Sequence, residues 1–390
     1  MALKKQLSVI SYQLSVLAFV ALCFLFLIAR TDAANSTNVR VRLSGEKDEV
    51  RLAVKGAYTI EAIDSDLILK KGANLSEEKV IPAGSGIQLG EEIFKIYGIR
   101  VIPKKDAGIS VDGKQFRGII DIIRTENMKL LVVNHIDVEK YLYGVLYHEV
   151  PHYWPMETQK AQAVAARTFA MYRKTIMRDK DYDVTSDIYS QVYGGKGSEH
   201  GRARKAVDLT KGEVLIFDGK ILPSYYHSIC AGHTEDASRV FEVDLPPLKG
   251  VKCPYCKGAR GMNWKASFSY KQMEERLNAY GIKVNGMRDI TEGPRDKSGR
   301  LETVIIKDAE GIKEIQGFKF RLALGPNMIR SANFTLNITP RGVIFKGKGW
   351  GHGVGMCQWG AFGMAKKRAR YKKILEFYYP EAKINEINGL

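Results

Sequence analysis

Residues 141–174, YLYGVLYHEVPHYWPMETQKAQAVAARTFAMYRK, carry two helical stripes with two prolines between them, a pattern that admits few folds. Tyr141, Leu142, Val145 and Leu146 recur at the spacing of one buried helix face, which predicts a helix over 138–149 that ends on Glu149. Pro151 and Pro155 cannot donate a backbone hydrogen bond, and each restricts the residue before it, so residues 148–154 must turn. Pro155 then suits the start of a second helix. Its packed stripe is Ala161, Val164, Ala165, Thr168 and Met171, with alanines small enough to admit a close neighbour.

Glu149 closes the first stripe among Tyr147, Tyr153 and Trp154, rings that offer little water. Such surroundings raise a carboxyl pKa, and a raised pKa suits a general acid. The structural alternative is an ion pair from Glu149 to a base such as Arg167, which would only lock the two helices together.

The N-terminus reads differently from the rest. Lys4 and Lys5 precede an apolar run from Val16 to Ala29, followed by the small residues Thr31, Ala33 and Ala34. That is the layout of a secretory signal peptide over 1–34, and an uncleaved membrane anchor is the other reading of the same run. The chain is therefore expected to be exported to the periplasm or cell envelope. Its net charge of +17 attracts polyanions. For an exported protein the economical partner is an anionic envelope polymer, and nucleic acid is not expected.

Beyond the leader, the pattern is α+β. Short alternating runs at 39–43, 50–54, 58–63 and 94–102 predict strands of a small β domain over 35–120. Strand-like runs at 116–123 and 129–136 lead into the helices of a core over 121–263, which also holds a helix over 199–210 and a hairpin over 212–229 turning at Asp218-Gly219. Residues 264–324 are more charged and less patterned. They predict a peripheral insertion with one helix near 270–280 and two strands near 303–316. Residues 325–390 complete the core, with a strand entering and a helix leaving a glycine-rich turn. Gly347, Gly349, Gly351, Gly353 and Gly355 alternate there with other residues. The turn has neither a Walker nor a dinucleotide spacing. It presents Trp350, His352, Gln358 and Trp359, flat rings and hydrogen-bonding groups of the kind that fit sugars.

Cys253-Pro-Tyr-Cys256 and Cys230-Ala-Gly-His233 are two ligand pairs with the spacing of a tetrahedral Cys3His zinc site, for which His227 is an alternate histidine. An oxidising compartment favours a disulfide instead, although a bridge between two of these three cysteines leaves the third over.

The motifs YLYGVLYHEVP, KAQAVAARTFA, SQVYGG, HSICAGHTEDA and GWGHGVGMCQWGAFGMA, in that order between residues 39 and 380, resemble the stage II sporulation protein D family. Its members include peptidoglycan lytic transglycosylases and amidase enhancers. The resemblance implies that Glu149 is the catalytic glutamate and Arg167 a functionally required arginine. It also implies that Gln191, Tyr193 and His352, with Trp350 and Gln358, line a substrate cleft. The partners it implies are glycan strands, including strands denuded of their stem peptides, and a cell-wall amidase. Where the family usually carries serine, this chain has Cys357, so exchange of Cys357 for serine is expected to be tolerated.

Overall fold

In the strand Asn38–Arg42, Val39 and Val41 face inward while Arg40 between them and Arg42 after them face the other way, and this alternation starts a mixed seven-stranded sheet. The structure, a computed structural model, describes residues 37–387 apart from 66, 188 and 189. The leader expected over 1–34 lies outside the described residues. The described residues from Val39 onward form one unit. No helix among the described residues is long and apolar enough to cross a membrane.

The seven strands run in the spatial order 184–185, 38–42, 130–137, 119–124, 98–103, 58–62 and 68–72. A six-stranded sheet, ordered 114–116, 108–111, 50–55, 75–83, 86–89 and 92–94, shares its core. Two expected strands are broken. The run 94–102 divides into Glu92–Phe94 and Gly98–Pro103, and the run 116–123 divides at Gly118. Gly118 has φ +81°, and a Cβ there would sit 2.1 Å from the His135 carbonyl oxygen. The expected boundary after residue 120 falls inside a ladder, because Ile120 pairs with Val101 on one side and Asn134 on the other. The β region and the helical core are thus continuous.

Asp137 caps helix α1 (Val138–Glu149) by accepting from the Lys140 N–H, and Tyr141, Leu142, Val145 and Leu146 bury the expected face against both sheets. Helix α2 (Met156–Ile176) begins directly after Pro155 and is buried along most of its length. Helix α3 (Gly201–Asp208) packs on both. The hairpin turns at Asp218-Gly219 as expected, with φ of 48° and 70°, but its ladder pairs only Ile216 and Phe217 with Ile221 and Lys220. Tyr226–His227 leaves that ladder and pairs in parallel with Met356–Cys357. This short pairing sets the HSICAGHTEDA and GMCQWGA motifs side by side.

The insertion builds its own core. Its helices α4 (Tyr270–Ala279) and α5 (Gly317–Leu324) surround Trp264, Leu277, Phe320, Phe334 and Phe345. Its strand Asn263–Phe268 pairs with Gly342–Lys348, so the unit extends past 324. Helices α6 (Gln358–Lys366) and α7 (Tyr371–Tyr378) close the chain against α2.

Candidate active site

A cleft of about 510 Å³ opens where α1 ends, and Glu149, half-buried, lies in its wall. His148, Tyr226, His227, Trp350, His352 and Gln358 line the same space. Burial pushes the Glu149 carboxyl up to about 7, against the opposing pull of hydrogen bonds from Gln358, the Val192 N–H and the Tyr226 hydroxyl. The raised pKa agrees with the sequence reading, but its source does not. Tyr147 and Tyr153 are exposed, and Trp154 is buried against Trp359 and Phe362. Glu149 is desolvated by the cleft wall and not by the rings nearest it in sequence.

Arg167 does not reach Glu149. It is fully buried, and its guanidinium grips Glu139 with Nε to Oε1 at 2.8 Å and Nη2 to Oε2 at 2.6 Å, while Nη1 donates to the Glu213 carbonyl at 3.1 Å. Glu139 sits ten positions before Glu149 on the same helix, or about 15 Å along its axis. The helix lock considered for Glu149 therefore exists, with Glu139 as the partner of Arg167. Arg167 supports the fold of the site and takes no place in the cleft.

The expected substrate-binding residues divide in the same way. Trp350, His352 and Gln358 line the cleft. Gln191 is buried behind it, accepting from the Tyr141 hydroxyl at 3.2 Å and donating to the Tyr226 hydroxyl at 2.9 Å. It thereby orients the hydroxyl that reaches Glu149. Tyr193 is buried against Tyr141 and Phe116, with its hydroxyl donating to Asn134, and is part of the core. Trp359 belongs to the Trp154 and Phe362 cluster.

Several cleft residues were not expected from the sequence. Tyr226 and His227 lie in the expected hairpin run, and His227, the alternate histidine of the metal reading, lines the cleft and is not among the clustered cysteines. The buried His227 donates through Nδ1 to the Val354 carbonyl at 3.0 Å, which leaves Nε2 as an acceptor without a protein partner, and burial lowers its pKa to about 3. Phe318, Arg321 and Leu322 come from α5, so the insertion is not peripheral but forms one wall of the cleft. Asp187 lines the same space as a second carboxylate and accepts from the Thr185 hydroxyl at 2.8 Å.

Of the expected metal ligands, Cys230, Cys253 and Cys256 converge, and His233 does not. The half-buried His233 ring points elsewhere, with Nδ1 donating to the Thr234 carbonyl at 2.7 Å. Cys357 brings the fourth sulfur, delivered by the pairing of residues 356–357 with 226–227, so serine there would not be the neutral exchange that the resemblance implies.

The arrangement is that of a cleft with two carboxyls in its wall, Asp187 and Glu149, of which Glu149 has its pKa raised by burial. Comparison with known proteins agrees on the class. A family model described as stage II sporulation protein matches residues 126–217, and a domain of unknown function matches 256–355. The chain is 36% identical over 358 residues to an uncharacterized protein of Brachyspira hyodysenteriae, covering 91% of this chain and 95% of that one. It is 30% identical over 286 residues to stage II sporulation protein D of Bacillus amyloliquefaciens, covering 69% and 79%. It is 27% identical over 350 residues to the amidase enhancer of Bacillus subtilis, spanning 75% of this chain but only 48% of that longer protein. The protein belongs to the stage II sporulation protein D family.

Proposed function

We propose that the protein is an exported peptidoglycan lytic transglycosylase with Glu149 as its one acid and base. The observation that carries this reading is a carboxyl held near pKa 7 inside a cleft lined by rings and imidazoles. Protonated Glu149 gives its proton to the glycosidic oxygen between N-acetylmuramic acid and N-acetylglucosamine, and that bond breaks. The carboxylate so formed takes the proton of the muramic acid 6-hydroxyl, whose oxygen bonds to its own anomeric carbon. A 1,6-anhydro ring results and Glu149 is protonated again. The nucleophile belongs to the substrate, so one carboxylate serves both steps, unlike the two-carboxylate hydrolases.

The neutral His227 and His352 rings, their pKa values lowered by burial, add hydrogen-bonding groups without charge. Trp350, with Arg330 4.4 Å over its ring, offers a flat face for a sugar. The similarity to a protein named amidase enhancer supports a second reading, a glycan-binding partner of a cell-wall amidase. Mass analysis of glycan strands incubated with wild-type protein and Glu149→Gln separates the two. Anhydro-ended fragments from wild type alone support the transglycosylase. No fragments from either protein, with faster turnover by an added amidase, would favour the enhancer.

A further inference from the structure

Behind the wall that carries Gln358, four sulfur atoms meet. The Sγ atoms of Cys230, Cys253, Cys256 and Cys357 all lie within 4.8 Å of one another, and all four residues are buried. Cys230 and Cys256 are 3.4 Å apart. Four thiolates around a tetrahedral zinc, with bonds of about 2.3 Å, sit about 3.8 Å from each other. A disulfide needs about 2.05 Å, and all four cysteines are free.

Backbone donors already point at two of these four sulfurs. The N–H groups of Cys230 and Gly360 point at Cys357 Sγ over 3.2 and 3.3 Å, and the Gly232 N–H donates to Cys256. Several buried thiolates at such separations repel one another unless a cation sits among them. The local chain is shaped to match. Ala231 and Gly232 take φ of 63° and 110° directly after Cys230, and Gly258 takes φ 81° two residues after Cys256, so each segment turns away once its sulfur is placed.

We propose that these four cysteines bind one zinc ion in a closed four-thiolate site that fixes the start of α6 behind the cleft. The ion ties together three segments that are distant in sequence, at 230, 253–256 and 357. Cys357 is the N-cap of α6, and the first residue of that helix is Gln358, which donates to Glu149. The site is therefore structural in its chemistry and positioning in its effect. Only the positioning of Glu149 rests on the transglycosylase reading, and metal content is measured without any activity.

The test is metal analysis and zinc X-ray absorption on the full chain, purified under reducing conditions without chelator, beside His233→Ala and Cys357→Ser. The expected result is about one zinc per chain in wild type and in His233→Ala, a first shell of sulfur alone at about 2.3 Å, and loss of most zinc from Cys357→Ser. If Cys357→Ser does not fold, the wild-type absorption spectrum decides alone. Zinc-free wild type, or peptide mapping that finds a disulfide among the four, would overturn the proposal. So would nitrogen in the first shell with metal lost from His233→Ala, because the fourth ligand would then be the histidine.

Discussion

Gln358 Nε2 donates to Glu149 Oε2 at 3.3 Å, joining the first residue of α6 to the last residue of α1 across 209 positions of sequence. The same amide reaches Gln162 Oε1 at 3.4 Å, so it is held from α2 as well. Three donors converge on the Glu149 carboxyl, from Gln358, Tyr226 and the Val192 backbone, and burial still outweighs them. The balance leaves the group able both to give and to take a proton near neutral pH.

The first prediction concerns pH. An acid with pKa about 7 is protonated below that value, so cleavage should fall as pH rises through about 7. Tyr226→Phe removes a donor that favours the carboxylate, so the pKa of Glu149 rises and the alkaline limb moves to higher pH. The measurement is the pH profile of fragment release for both proteins. A limb that stays in place would mean that the Tyr226 hydroxyl does not act on Glu149.

Stability should carry the same signature. The folded pKa of Glu149 lies above its ordinary 4.5, so the folded state binds the proton more tightly than the unfolded one. Its contribution is fully present below about 4.5 and is lost as pH rises through about 7, to the extent of up to about 3 kcal/mol. Glu149→Gln does not titrate, so it should be more stable than wild type at pH 8, with the advantage shrinking towards pH 5. Denaturant unfolding at the two pH values tests this, and an equal difference at both would contradict the raised pKa.

Arg167→Ala should act through folding. It leaves Glu139 without its cation, with the Gly212 N–H still donating to its Oε1, and loss of one partner from a buried ion pair costs about 3–5 kcal/mol. Activity per folded molecule should be preserved at low temperature. Lost activity with unchanged unfolding free energy would instead place Arg167 in the chemistry.

These contrasts mark what the sequence could disclose. The faces of α1 and α2 were legible because burial imposes a helical period on neighbouring residues, and the prolines fixed where one helix ends and the other starts. Glu149 was legible as the polar terminus of an apolar stripe. The partner of Arg167 was not, because Glu139 and Glu149 both lie on α1 and only packing decides which one meets α2. Cys357 was missed for a similar reason. A fourth sulfur 101 positions beyond Cys256 leaves no local spacing, and only the parallel pairing of His227 with Cys357 brings it in. The wall supplied by Phe318 and Arg321 was hidden because α5 spends its apolar residues mostly on the insertion's own core.

Asp187 makes the nature of the product the sharpest remaining test. A hydrolase needs a second carboxylate, either to activate water or to hold a glycosyl intermediate, and Asp187 lines the cleft that contains Glu149. It is nevertheless engaged by the Thr185 hydroxyl, and it is not among the groups that shift the pKa of Glu149. If the muramic acid 6-hydroxyl is the nucleophile, no water enters the product, and each fragment ends in a 1,6-anhydro sugar one water lighter than the hydrolytic fragment. Digestion in isotope-labelled water should therefore leave wild-type fragments unlabelled, and Asp187→Asn should release the same anhydro products. Label in the wild-type product, with cleavage abolished by Asp187→Asn, would make the protein a two-carboxylate glycosidase and would remove the transglycosylase mechanism.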